Sequence, residues 1–154
     1  MPNWCSNYAT IDHENHSEIR RLAEAFNEGK FCDAVIPVPE DLKITAGYLG
    51  DEAAQKELER KTAENVKKYG AGNWYDFCTS RWGTKWDVGG DGYTADVEEG
   101  PNGASMTISF DSAWSPPMGI WEELTAQGFT VDAMYYESGM AYCGRYTSEN
   151  GDDY

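Results

Sequence analysis

The sequence predicts an α+β fold of the split β-α-β type, with a mainly antiparallel sheet, helices on one face and a helical insertion after the first helix. Three observations support this prediction. Apolar residues recur at helical spacing in two stretches that follow strand-like segments, the order of elements fits the pattern β-α-β-β-α-β, and 154 residues suit one domain. We expect that domain over residues 1–147, with the insertion at about residues 40–80 and an acidic flexible tail at residues 148–154.

The first strand and helix are predicted near the N-terminus. Residues 3–11 alternate in character, as a half-buried strand does. Asn15 is placed to cap the helix that follows, and Glu18 stands three residues later, as in a capping box. Gly29 is placed to end this helix, whose apolar face is formed by Ile19, Leu22, Ala23 and Phe26.

The predicted insertion is mostly helical. Residues 31–38 are apolar but interrupted by proline, which favours a short strand or an extended arm. Residues 51–69 form a polar surface helix with Leu58, Val66 and Tyr69 as its thin apolar face, and residues 73–82 form a short aromatic helix. The longer helix carries Glu–Lys pairs four residues apart: Glu52–Lys56, Glu57–Lys61 and Glu64–Lys68.

The second half of the chain supplies the remaining strands and helix. We predict strands at residues 84–88 and 93–97 around a glycine-rich turn, and a further strand in which Met106, Ile108 and Phe110 alternate with polar residues. Ser115 and the prolines after it are typical of a helix start. That helix buries Ile120, Trp121 and Leu124, and residues 129–136 and 140–146 then pair as a hairpin.

Acidic side chains are concentrated in the C-terminal half. Residues 1–85 hold 14 acidic and 11 basic side chains, whereas residues 86–154 hold 13 acidic side chains and Arg145 alone, a net charge of −12. Direct binding to nucleic acid is disfavoured, because phosphate neutralisation needs clustered Lys and Arg. A basic protein surface is the favoured partner.

The remaining composition indicates a cytoplasmic protein. The sequence has no apolar run long enough for a membrane span and no secretory leader. The four cysteines are widely and irregularly spaced, which favours buried free thiols over a zinc site: Cys5, Cys32, Cys78 and Cys143. We expect no cofactor.

Three motifs stand out along the chain: Met-Pro-Asn-Trp-Cys at residues 1–5, Trp-Gly-Thr-Lys-Trp at residues 82–86 and Phe-Asp-Ser-Ala-Trp-Ser-Pro-Pro at residues 110–117. Together they resemble small phage and plasmid proteins with a YubB-type ferredoxin-like domain. The resemblance implies a ferredoxin-like fold and a mobile-element origin, and hence a location in the cytoplasm of a bacterial host. It implies no catalytic residue, and the heavy acidity of residues 86–154 is not typical of that family.

Catalytic and metal sites are weakly indicated. His13 and His16 flank a strand end and a helix cap, which favours solvated loop histidines. No Ser or Cys stands in the context of an activated nucleophile. A divalent-ion site built from Asp87, Asp91 and Asp96 is conceivable, but the spacing lacks the EF-hand pattern. We expect a protein without enzymatic activity.

Two surfaces are candidates for function. The first is an acidic partner-binding surface formed by Asp87, Asp91, Asp96, Glu98, Glu99, Glu122, Glu123, Asp132 and Glu137. The second is an aromatic cluster of Trp4, Trp82, Trp86, Asp111 and Trp114, joined by Phe110 and Pro116, which is either a fold-defining core or a binding cleft with Lys85 and Arg81 beside it.

The acidic pattern, together with the mobile-element origin that the resemblance implies, favours an inhibitor of a host defence or nucleic-acid-handling complex, of the anti-CRISPR or anti-restriction type, that imitates DNA with a negative surface. Two alternatives stay open. One is a non-enzymatic accessory or regulatory protein that uses the aromatic cluster as a cleft. The other is a small nucleotide-handling enzyme.

Overall fold

The computed structural model describes residues 2–154 and contains a six-stranded sheet with helices packed on one face. The strands are β1 (Trp4–His13), β2 (Asp96–Gly100), β3 (Gly103–Ala113), β4 (Thr130–Glu137), β5 (Tyr142–Thr147) and β6 (Gly151–Asp153). The helices are α1 (His16–Asn27), α2 (Phe31–Val35), α3 (Glu52–Tyr69), α4 (Trp74–Phe77) and α5 (Met118–Ala126), with a 3-10 turn at Glu40–Leu42 and a π-helical turn at Cys78–Trp82. Met1, which begins the N-terminal motif, lies outside the described residues.

The strand order confirms the predicted fold class. The sheet runs β2-β3-β1-β4-β5-β6, and every neighbouring pair is antiparallel. The first four of these strands, together with α1 and α5, reproduce the split β-α-β arrangement. The fold is therefore ferredoxin-like, with β5 and β6 extending the sheet beyond β4.

Helix α1 begins and ends where the sequence predicts. The Asn15 side chain accepts a hydrogen bond from the Ser17 N–H at 3.0 Å, and Gly29 follows the helix with a φ of 76°. The capping box is not completed, because the Glu18 carboxylate accepts a hydrogen bond from Arg21 instead. The predicted apolar residues of α1 are all buried against the sheet.

Residues 31–35 form a helix, so the prediction of a strand or extended arm is wrong there. The Asp87 carboxylate accepts hydrogen bonds from the N–H groups of Cys32, at 2.6 Å, and Asp33, at 3.0 Å. These N–H groups belong to the first turn of α2, which has no partner for them within the helix. A carboxylate more than fifty residues away in sequence thus caps α2.

The predicted strand at residues 84–88 is also absent from the structure. The Thr84 hydroxyl donates a hydrogen bond to the Ala113 carbonyl at 3.0 Å, and the Gly90 N–H donates to the Phe26 carbonyl at 2.8 Å. The segment is therefore tied to β3 and to the end of α1 as an irregular connection. The next strand begins at Asp96, three residues later than predicted.

Helix α3 lies at the surface, as predicted, but its contacts differ. Leu58 and Asn65 are its buried residues, whereas Val66 is exposed. Of the three predicted Glu–Lys pairs only Glu52–Lys56 forms, at 3.8 Å. Arg60 forms ion pairs with Glu57 and Glu64 instead, and Lys68 forms an ion pair with Asp41.

The C-terminal elements require two corrections. Helix α5 begins at Met118 after Pro117, and Ser115 donates its hydroxyl hydrogen to the Gly83 carbonyl instead of capping the helix. The residues predicted as a loose tail include strand β6, which pairs with β5, and the Tyr135 hydroxyl donates a hydrogen bond to Asp152 at 2.7 Å. The prediction of a flexible tail is therefore wrong for Gly151–Asp153.

The core lies between the sheet and helices α1, α2 and α5. Ala9, Ile11, Met106, Ile108 and Val131 from the strands meet the apolar faces of these helices. The opposite face of the sheet carries no helix. Across residues 2–154, no helix has both the length and the apolarity needed to cross a bilayer.

Candidate functional site

The side of the sheet opposite the helices is here called the open face. Side chains alternate between the two faces of a strand, and the strand register places even-numbered residues of β1 on this side. Its main members are Ser6, Tyr8, Thr10, Asp12, Asp96, Glu98, Ser105, Thr107, Ser109, Asp111, Thr130, Asp132, Met134, Tyr136, Cys143, Arg145, Thr147 and Asp153.

Three of the nine predicted acidic residues lie on the open face. Asp96 and Glu98 are exposed on the edge strand β2. Asp132 accepts two hydrogen bonds from Arg145, at 2.8 and 2.6 Å, and these lower the pKa of its carboxyl below the usual value. The charge of Asp132 is therefore largely neutralised, whereas Asp96 and Glu98 point to solvent.

Four other predicted acidic residues lie elsewhere on the surface. Glu99 points to the helix side, where its hydrogen bonds from Arg20 lower the pKa of its carboxyl. Glu122 and Glu123 belong to α5, and Asp91 lies in the glycine-rich turn with a φ of 44°. Glu99, Glu122 and Glu123 do not share a face with Asp96, so the prediction of one continuous acidic surface needs correction.

The last two predicted acidic residues have structural roles. Asp87 is occupied by capping α2, and burial raises the pKa of its carboxyl. Glu137 is 1% exposed and accepts hydrogen bonds from the N–H groups of Gly139, at 2.6 Å, and Met140, at 2.7 Å, which hold the β4–β5 turn. Neither carboxylate is available to a partner.

Asp12 joins Asp96 and Glu98 at one corner of the sheet, and we call these three residues the acidic corner. Glu98 and Asp12 both lie opposite Ser105 in the strand register, so they are two strands apart, or about 9.6 Å. Burial raises the pKa of the Asp12 carboxyl. The corner borders a groove of about 590 Å³. In the sequence, Asp12 continues the every-second-residue series of Tyr8 and Thr10, and this alternation predicts that Asp12 lies on the same face as those two residues.

Exposed apolar side chains occupy the middle of the open face. Tyr8, Met134 and Tyr136 are each about half exposed, although they stand on central strands. Tyr8 lies directly opposite Met134 in the register, and Ser6 lies opposite Tyr136. Apolar side chains grouped in this way on an uncovered sheet are typical of a surface that binds a partner.

The predicted aromatic cluster divides into a core part and a surface part. Trp82 is buried and donates its indole N–H to the Ile36 carbonyl at 2.8 Å, and Phe110 and Pro116 are buried as well. Asp111 lies on the open face and accepts hydrogen bonds from the hydroxyls of Ser6 and Tyr93. Trp82 must therefore be removed from the predicted cleft.

Trp4, Trp86 and Trp114 remain at the surface, and we call them the indole cluster. They are 48%, 42% and 45% exposed, and the rings of Trp4 and Trp86 have centroids 6.0 Å apart. The Lys85 ammonium lies 4.2 Å from the Trp86 ring centroid and 4.0 Å from that of Trp114. The cluster stands at the opposite end of β1 from Asp12, about 27 Å away along the strand.

The backbone that carries Trp114 is held in an unusual conformation. Its φ is 67°, in the left-handed region, which costs a bulky residue about 1–3 kcal/mol. Three hydrogen bonds hold this segment: the Trp114 N–H donates to the Asn3 carbonyl at 2.8 Å, the Tyr142 hydroxyl donates to the Trp114 carbonyl, and Thr84 donates to Ala113. The exposed indole is thus presented by a rigid support.

Histidine and cysteine side chains occupy separate environments. His13 accepts the Asn15 N–H at 2.9 Å, and the His16 ring is 2.9 Å from the Gly100 carbonyl. In the described part of the chain, no three His, Cys, Asp or Glu side chains converge as metal ligands. Cys143 is exposed, which corrects the expectation of four buried thiols.

Comparison with known proteins agrees with the fold. Residues 81–154 match the family model described as "Ferredoxin-like domain in Api92-like protein". A crystal structure of a protein api92 from Yersinia pseudotuberculosis is 11% identical, with a TM-score of 0.48, and the alignment covers 99% of this chain and 98% of that one. So distant a likeness supports no inference about function. No curated protein sequence matches the chain.

Proposed function

We propose that this protein is a non-enzymatic interaction protein of a phage or plasmid whose open face binds a basic, nucleic-acid-binding surface of a host complex. By occupying that surface it competes with DNA, as an inhibitor of the anti-CRISPR or anti-restriction type would. The proposal places the protein in the bacterial cytoplasm. It includes the YubB-type kinship that the three sequence motifs imply.

The uncovered sheet carries this proposal. Within residues 2–154, the three carboxylates of the acidic corner form no ion pair at 4.0 Å or less. The centre of the face offers Tyr8, Met134 and Tyr136 for apolar contact. Protein interfaces combine an apolar centre with a polar rim in the same way. Opposite charge accelerates association and selects the correct partner.

The size of the open face suits a specific complex. Six strands spaced about 4.8 Å apart span about 24 Å, and β1 runs about 27 Å between Trp4 and Asp12. The product is about 650 Å², close to the roughly 800 Å² that each partner contributes to a standard interface. A partner that covers the sheet and reaches its rim would therefore form a complex of ordinary size.

The charge of this face favours a protein partner over RNA. Aromatic side chains on an open sheet bind unstacked bases in RNA-binding domains of similar architecture. Among the strand residues of this face within residues 2–154, however, Arg145 is the only cation, and its guanidinium is already paired with Asp132. Asp12, Asp96, Glu98 and Asp111 would repel phosphates.

The carboxylates proposed to imitate DNA occupy a small part of the surface. Duplex DNA carries one negative charge per about 1.7 Å of axis. Asp96 and Glu98 stand about 6.8 Å apart along β2, and Asp12 adds a third carboxylate across the sheet. The proposed mimic is therefore a small patch at the acidic corner together with the apolar centre, and the acidic residues of α5 are not part of it.

The proposal is tested by matched charge reversals. The tagged protein is used to isolate its partner from a bacterial host, and the purified partner is then titrated with wild type and two triple variants. Asp12→Lys/Asp96→Lys/Glu98→Lys reverses the acidic corner. Glu24→Lys/Glu59→Lys/Glu122→Lys changes the net charge equally at exposed helical positions.

We expect the acidic-corner variant to lose at least about tenfold in affinity, because it replaces three attractive contacts by repulsive ones. The helical variant should bind within about threefold of wild type, and a 20-base-pair DNA duplex should displace wild type from the partner. Equal binding of the two variants, or a complex that DNA leaves intact, would refute the proposal.

A further inference from the structure

Lys85 lies where a cation is held between two exposed indole rings. Its ammonium is 4.2 Å from the centroid of Trp86 and 4.0 Å from that of Trp114. The two centroids are therefore no more than 8.2 Å apart. A flat group in van der Waals contact with both rings needs about 3.5–4 Å on each side, and this requirement of about 7–8 Å lies within the upper bound set by the two Lys85 distances.

Lys85 contacts aromatic rings, although the protein has a net charge of −15 and carboxylates are abundant. Within residues 2–154, no carboxylate forms an ion pair with Lys85 at 4.0 Å or less. Its ammonium lies against the faces of Trp86 and Trp114, where the ring quadrupole attracts positive charge. The indole cluster thus already holds a cation, supplied by the chain itself.

The backbone support of Trp4 and Trp114 does not depend on Lys85. Trp114 is fixed by the hydrogen bonds of its own N–H and carbonyl with Asn3 and Tyr142, and Trp4 belongs to strand β1. Each indole nevertheless remains more than 40% exposed. Rigid aromatic side chains that stay accessible are typical of binding sites, because little conformational entropy is lost when a ligand binds.

We propose that the indole cluster is a binding site for an arginine side chain of the basic partner, and that Lys85 is a tethered occupant which the arginine displaces. The guanidinium is planar, stacks on aromatic faces and is more weakly hydrated than an ammonium, so it is suited to replace Lys85. The identity of the ligand rests on the proposed function, since a nucleic-acid-binding surface supplies arginine. The site itself is distinct from the acidic corner.

A tethered occupant has a measurable effect. The tethered occupant competes with an added ligand at a local concentration set by its short tether. The apparent affinity for the ligand is then the intrinsic affinity multiplied by the fraction of sites that the occupant leaves free. Removal of the Lys85 side chain should therefore strengthen cation binding. If Lys85 instead served only to hold the two rings together, its removal would weaken binding.

The test uses N-acetyl-L-arginine methylamide as the probe and N-acetyl-L-citrulline methylamide as its neutral counterpart of the same shape. Binding is followed by NMR shifts of the indole N–H signals. Lys85→Ala is compared with Lys85→Arg, which keeps a tethered cation, and with Lys61→Ala, which removes one exposed lysine from α3. Trp114→Ala is compared with Tyr48→Ala, which removes an exposed aromatic ring elsewhere.

We expect the arginine probe, but not the citrulline probe, to shift the signals of Trp86 and Trp114. Lys85→Ala should bind the arginine probe at least about threefold more tightly than wild type, in accord with release of a tethered competitor, and Lys85→Arg and Lys61→Ala should show no gain. Trp114→Ala should lose the response, whereas Tyr48→Ala should keep it. Equal binding of both probes, or weaker binding by Lys85→Ala, would overturn the inference.

The same probe separates this inference from the proposed function. At physiological ionic strength the Debye length is about 8 Å, much shorter than the roughly 27 Å between the acidic corner and the indole cluster. The acidic-corner triple variant should therefore bind the arginine probe like wild type. If the wild-type protein binds the arginine probe but no host partner, the proposed function and the cluster's link to a partner are contradicted, whereas the binding site itself is not. If the wild-type protein binds its partner but the indole cluster does not respond to the probe, the inference alone is contradicted.

Discussion

Asp87 should contribute more to stability than any surface carboxylate, although its position in a glycine-rich segment suggests a loop residue. Its carboxylate accepts hydrogen bonds from Cys32 at 2.6 Å, Asp33 at 3.0 Å and the N–H of Val88 at 2.8 Å. Asp87→Ala removes all three acceptor contacts. The Cys32 residue is 0% exposed, so water cannot replace the lost partner without local opening.

The expected loss follows from these contacts. Removal of a helix cap costs about 1 kcal/mol, and a buried N–H left without an acceptor costs about 1–3 kcal/mol. Burial raises the pKa of the Asp87 carboxyl, which shows that the charge also carries a desolvation cost that alanine avoids. We therefore expect a net loss of about 2–3 kcal/mol in the free energy of unfolding, or about 4–12 °C in Tm for a protein of this size.

Urea unfolding followed by circular dichroism and by tryptophan fluorescence measures this loss. Asp87→Asn keeps one carbonyl acceptor and should lose about half as much as Asp87→Ala. Asp96→Ala removes an exposed carboxylate from β2 and should stay within about 0.5 kcal/mol of wild type. A loss for Asp87→Ala no larger than that of Asp96→Ala would refute the assignment of Asp87 as the cap of α2.

Three further predictions concern packing, thiol labelling and the pH dependence of stability. Gly119→Ala would place a Cβ 1.9 Å from the Arg81 carbonyl oxygen, so it should lower the free energy of unfolding by about 3 kcal/mol or prevent folding. Gly47→Ala adds its Cβ in open space and should leave Tm unchanged. Equal Tm values for the two variants would contradict the close contact at Gly119. Burial raises the pKa of Cys5 to about 11 and that of Cys78 to about 12. A thiol reagent at pH 8 should therefore rapidly label the exposed Cys143 alone, and Cys143→Ser should abolish this fast labelling phase. Because these folded-state pKa values lie above the ordinary thiol value of 9.0, stability should be full below pH 9 and decline toward pH 12, and Cys78→Ala should flatten the decline. A urea midpoint that stays constant from pH 9 to 11 would contradict this prediction.

Local patterns predicted the elements whose stability is local. The Asn15 cap, the glycine after α1 and the alternation of Met106, Ile108 and Phe110 all appear in the structure. Helix α2 could not be predicted in this way, because its cap comes from Asp87, which is distant in sequence. The Asp87 carboxylate thus caps a helix in residues 31–35, whose apolar composition is also typical of a strand.

The candidate site was predicted less well, because charge by itself does not reveal orientation. Glu137 was assigned to the surface for its charge, yet it continues the buried series Val131, Ala133 and Tyr135 at every second position of β4. The same alternation in β1 places Asp12 beside Tyr8 on the open face. The two-residue period of strand side chains therefore excludes Glu137 from the exposed acidic residues and adds Asp12 to them. Nothing local distinguishes the buried Trp82 from the exposed Trp86.

The two outermost strands of the sheet are both short and acidic. β2 carries Asp96, Glu98 and Glu99, and β6 carries Asp152 and Asp153. An outermost strand has backbone N–H and C=O groups that can pair with another chain, and charged side chains oppose such pairing. Copies of this protein that approach edge to edge therefore bring carboxylates against carboxylates. We therefore expect the carboxylates of β2 and β6 to oppose the addition of a further strand at either edge of the sheet.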